Sequence, residues 1–431
     1  MSPSLLLVLA ACGYLAIGVP VAFALALATI TSLVALDAYP LVVVLKETFT
    51  GIDSFPLMAV PFFILAAELM SGGSLTEVLL KFAGQFVGHR RGGLGYTNVV
   101  SLTFFSGISG SALADAAGPG SMLIKMMEKA GYDRSYAAAL TASTAIVGPI
   151  IPPSIIMIIY ALAEEQVSVG ALFAAGVVPG VLVALAMCAV NWHVSRKRNY
   201  VGDGERPGWR EKLTTTWKAL PALLLPVVIL GGMRAGWFTP TEAAVVAVVY
   251  GLFVGFVIYR SLTLRDLYEM LVESAEITGI IMIIVALASI FGWAGATLGI
   301  FDMAARGMMA FGSHEYVVLA MLIAILIVIG MFLDGVSTFL ILLPLLMPIA
   351  NRYGWDPVWF GILITLKVAI GQFTPPMAVN LMVSCRVAGI PMEATLRWVF
   401  PLIAAMFAVL ILVVAFPELA LWLPRVLGYL R

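Results

Sequence analysis

Two short stretches decide the fold: Gly148-Pro-Ile-Ile-Pro-Pro-Ser154 and Gly371-Gln-Phe-Thr-Pro-Pro-Met377. Both read Gly-x-x-x-Pro-Pro, and their first glycines, at positions 148 and 371, are related by an offset of 223. Proline removes a backbone donor and disfavours helix in the residue before it, so each stretch interrupts the apolar run around it. The helical arms on either side have only about 10–14 residues, too few to cross a membrane. We therefore expect two helix pairs, each broken near the middle of a membrane.

Two further landmarks repeat at nearly the same spacing. A polar, glycine-rich break at Ser106–Asp115 has a counterpart at Gly330–Thr338, and their first positions, 106 and 330, give an offset of 224. Pro179 and Pro401 are related by an offset of 222. Three landmarks that share nearly one offset predict an internal duplication far better than a single motif does.

The composition excludes a water-soluble protein. Of the 431 residues 62% are hydrophobic and 11% are charged, and the mean hydropathy is +1.05. Soluble domains have about 25% charged residues, so this chain has too few polar side chains to cover a soluble globule. Its 24 basic and 24 acidic residues balance, which gives no electrostatic footprint for nucleic acid. The composition predicts an all-α polytopic membrane protein.

One basic stretch divides the chain. Residues 196–218 carry seven basic and three acidic side chains, so the positive-inside rule places them in the cytoplasm. This linker separates an N-terminal repeat, residues 1–195, from a C-terminal repeat, residues 219–431. Within the first repeat, the apolar residues 4–36 are expected to form one membrane segment.

Each Pro-Pro stretch is interpreted as the tip of a helical hairpin that enters and leaves the membrane on one side. These re-entrant hairpins are expected at about 136–163 and 357–388, and the polar breaks at Ser106–Asp115 and Gly330–Thr338 are expected in partner helices. Carbonyl groups freed at a tip suit a bare cation, and the N-terminus of the returning arm suits a carboxylate.

Three charged residues fall inside apolar segments, where ionisable groups are functional by default. Asp115 and Asp334 either take part in binding or brace a half-helix by capping and hydrogen bonds. Lys367 either lies near an anion or reaches an interface or a scaffold acid with its long side chain.

The motifs together resemble one family. In chain order they are Ser106-Gly-Ile-Ser-Gly-Ser-Ala-Leu-Ala-Asp115, Ile150-Ile-Pro-Pro-Ser154, Pro179-Gly180, Phe332-Leu-Asp334 and Ile370-Gly-Gln-Phe-Thr-Pro-Pro376. Over essentially the whole chain this order resembles the large membrane subunit, of the DctM type, of tripartite ATP-independent periplasmic (TRAP) transporters. The resemblance implies an elevator-type transporter with two inverted repeats, in the cytoplasmic (inner) membrane of a bacterium or archaeon.

The same resemblance implies a coupling ion and partners. Sodium would drive uptake, and no other cofactor is implied. A soluble periplasmic binding protein would deliver a small organic anion, a carboxylate or a sulfonate. A small four-helix membrane subunit, expected here as a separate chain, would complete the transporter.

The resemblance also implies two sodium sites formed mostly by carbonyl oxygens. The first comprises Ser106, Ser109, Gly148, Ile151 and Pro153, with Asp115 in support. The second comprises Gly330, Gly371, Thr374 and Met377. The anion is expected between the two Pro-Pro stretches, with the candidate residues Ser111, Pro152, Ser154, Asp334, Lys367, Pro375 and Ala378.

Two other functions remain open at this point. A stand-alone sodium-coupled dicarboxylate-type symporter would have the same architecture and would need no binding protein. An intramembrane enzyme is disfavoured, because the sequence has no His-Glu-x-x-His motif, no paired Gly-Asp motifs and no nucleotide-binding loop. We therefore do not expect an enzyme.

Overall fold

The structure is a computed structural model that describes residues 2–430 except 38, 72, 165, 166, 203–205, 301, 302, 304–306, 308–313 and 332–334. Within the described residues every regular element is a helix. The first half contains α1 (Pro3–Ala16), α2 (Val21–Leu36), α3 (Val42–Ile52), α4 (Ala59–Ser71), α5 (Gly73–Val87), α6 (Gly93–Ser109), α7 (Ala112–Ala117), α8 (Pro119–Lys129), α9 (Arg134–Ala145), α10 (Ile155–Ala163) and α11 (Val169–Arg198). The second half contains α12 (Trp209–Arg234), α13 (Pro240–Phe253), α14 (Leu264–Thr297), α15 (Glu315–Gly330), α16 (Gly335–Tyr353), α17 (Pro357–Phe373), α18 (Val379–Ala388), α19 (Leu396–Ala415) and α20 (Glu418–Val426).

In the first half the chain reverses at the polar break and not at the Pro-Pro stretch. The amide of Gly92, before α6, donates to the Tyr200 carbonyl oxygen (3.1 Å), and the Tyr132 ring, after α8, stacks on the Tyr200 ring with centroids 4.1 Å apart. Both ends of 93–130 therefore lie at one end of the molecule, which we call the linker end because the basic linker begins there. The reversal occurs at Gly110, where φ is +62°.

Helices α9 and α10 together cross from the linker end to the opposite end. The amide of Asp133 donates to the Tyr200 hydroxyl (3.1 Å), whereas the Tyr160 hydroxyl donates to the Pro357 carbonyl oxygen (2.6 Å) in the second half. Helix α11 starts just after α10 and returns to Tyr200 over 30 residues, about 45 Å of helix. The interpretation of 136–163 as a re-entrant hairpin is therefore wrong, because its Pro-Pro stretch interrupts a crossing without reversing it.

The second half also contains a hairpin and a crossing segment. Trp355, after α16, donates through Nε1 to Glu315 Oε1 (2.6 Å) at the start of α15, so 315–353 is the re-entrant hairpin. The start of α17 lies at the far end of α19, since Trp359 Nε1 donates to the Val413 carbonyl oxygen (2.9 Å). Helix α18 leads back into the start of α19, so 357–388 also crosses. The expected hairpin there is wrong for the same reason.

Long apolar helices surround these segments. Five described helices are long and apolar enough to span a membrane, and α4 with α5 would make a sixth if the bent pair is one span; the five are Val169–Arg198, Trp209–Arg234, Pro240–Ile258, Leu264–Thr297 and Met392–Ala415. Residues 4–36 do not form the single segment expected. Gly18, with φ +85°, and Pro20 separate α1 from α2, which pack on each other through a 2.8 Å hydrogen bond between the Tyr14 and Thr31 hydroxyls.

The two halves interleave. Helix α18 of the second half packs on α7, α8 and α9 of the first, and α10 of the first half packs on α16 and α17 of the second. Helix α13 likewise packs on α4, and α14 packs on α2. One large buried apolar cluster joins both halves. Each half therefore supplies part of the surface that the other buries.

Candidate functional site

The tip of the first hairpin lies against the first Pro-Pro stretch. Ser111 caps α7 by accepting from the Ala114 amide (3.4 Å), which restarts the helix directly after Gly110. A methyl group on Gly110 would lie 2.2 Å from the Pro153 carbonyl oxygen, and one on Gly148 would lie 3.0 Å from the Ser111 carbonyl carbon. Glycine is needed at both positions because backbone meets backbone there.

A buried carboxyl group braces this tip. Asp115 is 1% exposed, and the Ser109 hydroxyl donates to its Oδ1 at 2.5 Å. The Ser106 hydroxyl lies 3.2 Å from Oδ2 and 2.8 Å from the Leu102 carbonyl oxygen. Because these serine protons are committed to acceptors, a cation bound here would contact the remaining lone pairs of the serine oxygens or nearby carbonyl oxygens.

The structure brings all five residues of the first expected sodium site together. Ser106 and Ser109 end the first arm of the hairpin, while Gly148, Ile151 and Pro153 lie in the turn between α9 and α10. Except for half-buried Ile151, they are buried. Among the anion candidates, Pro152 and Ser154 lie in the same turn, and the Ser154 hydroxyl donates to the Pro149 carbonyl oxygen at 2.6 Å while it caps α10. The Ser154 proton is therefore already committed to the turn.

The second expected sodium site has a similar but simpler geometry. A methyl group on Gly371 would lie 2.9 Å from Gly330 Cα and 3.1 Å from the Gly330 carbonyl oxygen, so α15 and α17 touch through backbone. Thr374 is 8% exposed and ends α17, and its hydroxyl donates to the Ile370 carbonyl oxygen (2.7 Å). The lone pairs of this hydroxyl oxygen remain for a cation.

The remaining residues of the second stretch are more open. Met377 is 51% exposed and Pro375 is half-buried. Ala378 is fully buried with φ +45°, in the left-handed region, which turns the chain into α18. Asp334, the candidate in the second hairpin, lies outside the described residues.

Lys367 is not brought into this site. Its side chain is fully buried in α17, and Nζ lies 4.5 Å from the centroid of the Phe407 ring in α19, a cation–π contact. The described part of the chain offers this nitrogen no hydrogen-bond partner. Lys367 therefore neither reaches an interface nor pairs with a described acid.

A cavity of about 100 Å³ lies between the two halves. Its walls come from the first hairpin tip, the first Pro-Pro turn, the start of α16 and the end of α17: Gly110, Ser111, Ala112, Leu113, Pro149, Ile155, Ile156, Gly335, Val336 and Gln372. Ser111 is the one anion candidate among these described lining residues. This cavity lies nearer to the hairpin tips than the expected anion position between Pro152–Ser154 and Thr374–Ala378.

Gln372 is the polar residue that sequence reasoning missed. It is 7% exposed, and its Oε1 has no hydrogen-bond partner in the described part of the chain. A methyl group on Gly335 would lie 2.4 Å from Gln372 Nε2 and 2.8 Å from Ile156 Cδ1, so this amide closes the cavity wall where the halves meet. The sequence does indicate this residue, because a side-chain amide directly after Gly371 interrupts an otherwise apolar arm. Burying such an amide costs free energy unless it has a hydrogen-bond partner.

Comparison with known proteins finds similar transporter subunits. The family model described as "Tripartite ATP-independent periplasmic transporter, DctM component" matches residues 6–419. The sialic acid TRAP transporter large permease protein SiaM of Vibrio cholerae serotype O1 is 39% identical over 418 residues, 97% of each chain. The isethionate TRAP transporter permease protein DctMQ of Oleidesulfovibrio alaskensis is 37% identical over 95% of this chain and 64% of its own length.

A solved structure has a similar fold. The crystal structure of the Alcanivorax borkumensis YdaH transporter, described as having an unusual topology, superposes with a TM-score of 0.61 over 87% of this chain and 88% of that one. At 15% sequence identity this likeness concerns the fold alone.

Proposed function

Because the chain belongs to the DctM family of TRAP transporters, we propose that it performs sodium-driven uptake of a small organic anion, a carboxylate or a sulfonate. It is a multi-pass membrane permease subunit and not an enzyme. The transporter resides in the bacterial cytoplasmic membrane, contains a separate small membrane subunit and receives its anion from a periplasmic binding protein.

The observation that carries this proposal is the contact between a hairpin tip and an interrupted crossing helix in each half. At Gly110 against Pro153, and at Gly330 against Gly371, backbone approaches backbone inside the protein. Interrupted backbone at membrane depth is tolerated only where protein or a water-filled cavity surrounds it. Sodium is a hard cation that suits oxygen ligands, so each contact supplies a site for one ion.

The anion occupies the cavity between the halves in this proposal. Helix α16 has 19 residues and starts at Gly335 in the cavity wall, so its positive dipole end faces a bound carboxylate or sulfonate. Gln372 Nε2, next to Gly335 in the cavity wall, donates an N–H to the bound anion in this proposal. A bound anion also links the two sodium sites, since the cavity joins residues near Gly110 to residues near Gly371.

Transport follows from movement of these elements together. The hairpins and crossing helices of the two halves interleave through α10 and α18, so they move as one unit against the outer helices. Two sodium ions with one monoanion carry net positive charge inward, and each charge gains about 2.3 kcal/mol per 100 mV of membrane potential. The cycle is therefore electrogenic.

The test is uptake in proteoliposomes that contain this chain and its small membrane subunit. The probe is the radiolabelled anion that copurifies with the cognate binding protein. We expect uptake to require external sodium and to accelerate when valinomycin makes the interior negative. Equal uptake with choline in place of sodium would contradict the proposal. Equal uptake without the binding protein would instead favour a stand-alone symporter.

A matched pair of variants tests the first sodium site. Gly110→Ala places a methyl group 2.2 Å from the Pro153 carbonyl oxygen at φ +62°, whereas Gly131→Ala, at φ +82°, meets open space. Both variants strain the backbone equally, by about 1–2 kcal/mol. We expect sodium-dependent uptake to fall at least 100-fold in Gly110→Ala and to stay within twofold in Gly131→Ala. Similar losses in both would assign the effect to backbone strain alone.

Another matched pair tests the anion cavity. Gln372→Leu removes the buried amide from the cavity wall, while Gln85→Leu removes an amide that bonds Glu211 (3.2 Å) near the linker. We expect Gln372→Leu to raise the KM for the anion about tenfold, in line with one lost hydrogen bond to a charged group, without changing the sodium concentration for half-maximal uptake. An unchanged KM would remove Gln372 from the anion site.

A further inference from the structure

A long groove runs between α11 and α19, away from the cavity and the two sodium sites. Its volume is about 800 Å³, and it opens on the outer surface of the helix bundle. On α11 it is lined from Leu182 to Arg198, and on α19 from Arg397 to Leu412. Seventeen helical residues extend over about 24 Å, which is close to the depth of one bilayer leaflet with its head groups.

The walls of the groove are apolar along most of its length. Alanines at positions 186, 189, 405 and 408 leave a slot between the helices, and Leu185 and Leu412, 59% and 42% exposed, form its rims. A slot of this kind in a membrane-facing surface is filled by hydrocarbon chains of lipids. The driving force is van der Waals contact between the chains and the slot walls, because no water is present there to be displaced.

One end of the groove is strongly cationic. Lys197, Arg198 and Arg397 line it at the linker end. The guanidinium carbons of Arg198 and Arg397 lie 5.4 and 4.8 Å from the centroid of the Trp398 ring, so three cations and an interfacial tryptophan share one small area. Among the described residues, the ion pair recorded for this cluster joins Arg397 to Asp133. Within the part of the chain that the structure describes, this single carboxylate faces three cations, so the groove end carries net positive charge.

We propose that this groove binds an anionic phospholipid of the leaflet at the linker end. The acyl chains lie in the alanine slot, and the phosphate accepts hydrogen bonds from Lys197 and Arg198. Basic pockets between membrane helices on the cytoplasmic side recognise lipid head groups in this way. Arg397 stays paired with Asp133 and holds the start of α19 next to α9. Lipid binding therefore stabilises the contact between α11 and α19, the two long helices that follow the crossing helices.

Native mass spectrometry of the purified full-length chain with its small subunit tests this inference. The probes are phosphatidylglycerol and phosphatidylcholine with identical acyl chains, added to delipidated protein. We expect at least tenfold preferential retention of phosphatidylglycerol and a higher melting temperature in its presence. Equal binding of the two lipids would overturn the proposal, because it would show that the head-group charge is not recognised.

Three variants locate the site. The double variant Lys197→Gln, Arg198→Gln removes the two cations that contact the phosphate. Each cation contributes about fivefold to binding, so we expect phosphatidylglycerol binding to weaken about 30-fold. Arg210→Gln with Lys218→Gln removes the same charge from α12, outside the groove, and should bind as the wild type does. Ala405→Phe fills the slot and should lose the lipid while it keeps a folded, monodisperse protein. Retention of phosphatidylglycerol by the groove variants, or its equal loss in the α12 control, would overturn the assignment.

Discussion

The two Pro-Pro breaks share one sequence pattern but differ in what covers them. In the first, Pro152, Pro153 and Ser154 are all buried. In the second, Pro376 and Met377 are exposed, Met377 by 51%. The pattern interrupts both crossing helices, yet access to the break is determined elsewhere in the chain.

The helix that follows each crossing differs between the two halves. A methyl group on Gly176 of α11 would lie 2.1 Å from the Ile150 carbonyl oxygen, and one on Gly180 would lie 2.4 Å from Ile151 Cγ1. These two glycines let α11 lie directly on the first break. At the offset that relates Pro179 to Pro401, the corresponding residues of α19 are Trp398 and Leu402. Trp398 packs on the first half, where its ring meets Tyr136 edge-on and its Nε1 donates to the Ser135 hydroxyl (3.1 Å), so α19 has no matching glycine pair to lie on the second break.

A methyl group at Gly176 should have the largest effect on the contact between α11 and the first break. Gly176→Ala forces a methyl group against the backbone of the first break, and we expect a loss of about 3 kcal/mol of stability, at the upper end for overpacked cores. Gly279→Ala, in α14, meets nothing within 4 Å and should be neutral or stabilising by up to about 1 kcal/mol. Thermal unfolding in detergent measures both. A Gly176→Ala protein as stable as the wild type would refute the close contact.

Chemical labelling compares the accessibility of the two breaks directly. In a background without Cys12, Cys188 and Cys385, Met377→Cys should react with a water-soluble maleimide at least 100-fold faster than Ser154→Cys. The reason is that Met377 is 51% exposed and Ser154 is fully buried. Equal rates, measured by mass spectrometry of the intact protein, would show that both breaks open to the same extent. A sodium-dependent decrease in the rate at Met377→Cys would show that the cation orders the open break.

Thr374 and Thr365 separate ion binding from structure within one helix. Both hydroxyls donate to a carbonyl oxygen four residues earlier, Thr374 to Ile370 (2.7 Å) and Thr365 to Gly361 (2.8 Å). Thr→Val at either position removes one such hydrogen bond, worth about 1 kcal/mol. We expect Thr374→Val to raise the sodium concentration for half-maximal uptake about tenfold and Thr365→Val to leave it within twofold. The same sodium dependence in both variants would exclude Thr374 from the second site.

Substitution of the aspartates that cap the two crossing helices should have the smallest effect on stability. Asp133 accepts from the Ser135 amide (3.0 Å), and its counterpart in the second half, Asp356, accepts from the Val358 and Trp359 amides (2.9 and 3.0 Å). Burial raises the pKa of Asp133, but hydrogen bonds from Ser135 and the positive charges of Arg397 and Arg198 outweigh it, so its pKa is lowered overall.

The sign of the pH dependence follows from that shift. A lowered pKa in the folded state stabilises the protein above the unfolded pKa, about 3.9, and this contribution is lost as pH falls through the folded pKa. Asp133→Asn should cost up to about 1 kcal/mol at pH 7 and progressively less below about pH 4. Melting temperatures across pH 3–7, with Asp356→Asn as the control, provide the measurement. A cost that stays constant with pH would show that the carboxylate charge contributes nothing.

Much of this architecture could be predicted from the sequence, and one error is informative. The composition predicts a membrane protein, and the family resemblance implies the residues of the first expected sodium site, which the structure places together. The direction of the chain was mistaken because proline indicates where a helix stops and not where the next one goes. The reversal depends on the positive φ of Gly110 and on the cap that Ser111 provides for α7. Neither feature is evident from the sequence when the glycines of this break are interpreted as sites of close helix packing.

The cavity shows a second reason for incomplete prediction. Its wall joins Ile156 to Gly335 and Gln372, residues about 180 to 216 positions apart that no local pattern connects. As a charge in an apolar segment, Lys367 is a candidate for the anion site, yet its side chain points toward Phe407 of α19 and away from the cavity. A charged residue in the sequence identifies an unusual membrane segment, but it does not show which neighbouring helix the side chain will contact.

The hydrogen bond from Tyr160 to Pro357 also constrains how the protein is made. It spans 197 positions of the chain, and Tyr429 packs against Gly170 across an even longer interval. During synthesis, the first interrupted crossing enters the membrane before the residues that cover its far end exist. Its exposed backbone must be sheltered by water, lipid or insertion machinery until the last helix emerges, because chains fold in the order in which they are synthesised. A truncation that removes Tyr429 should therefore expose the oldest part of the chain, and quality-control proteases would detect the loss there first.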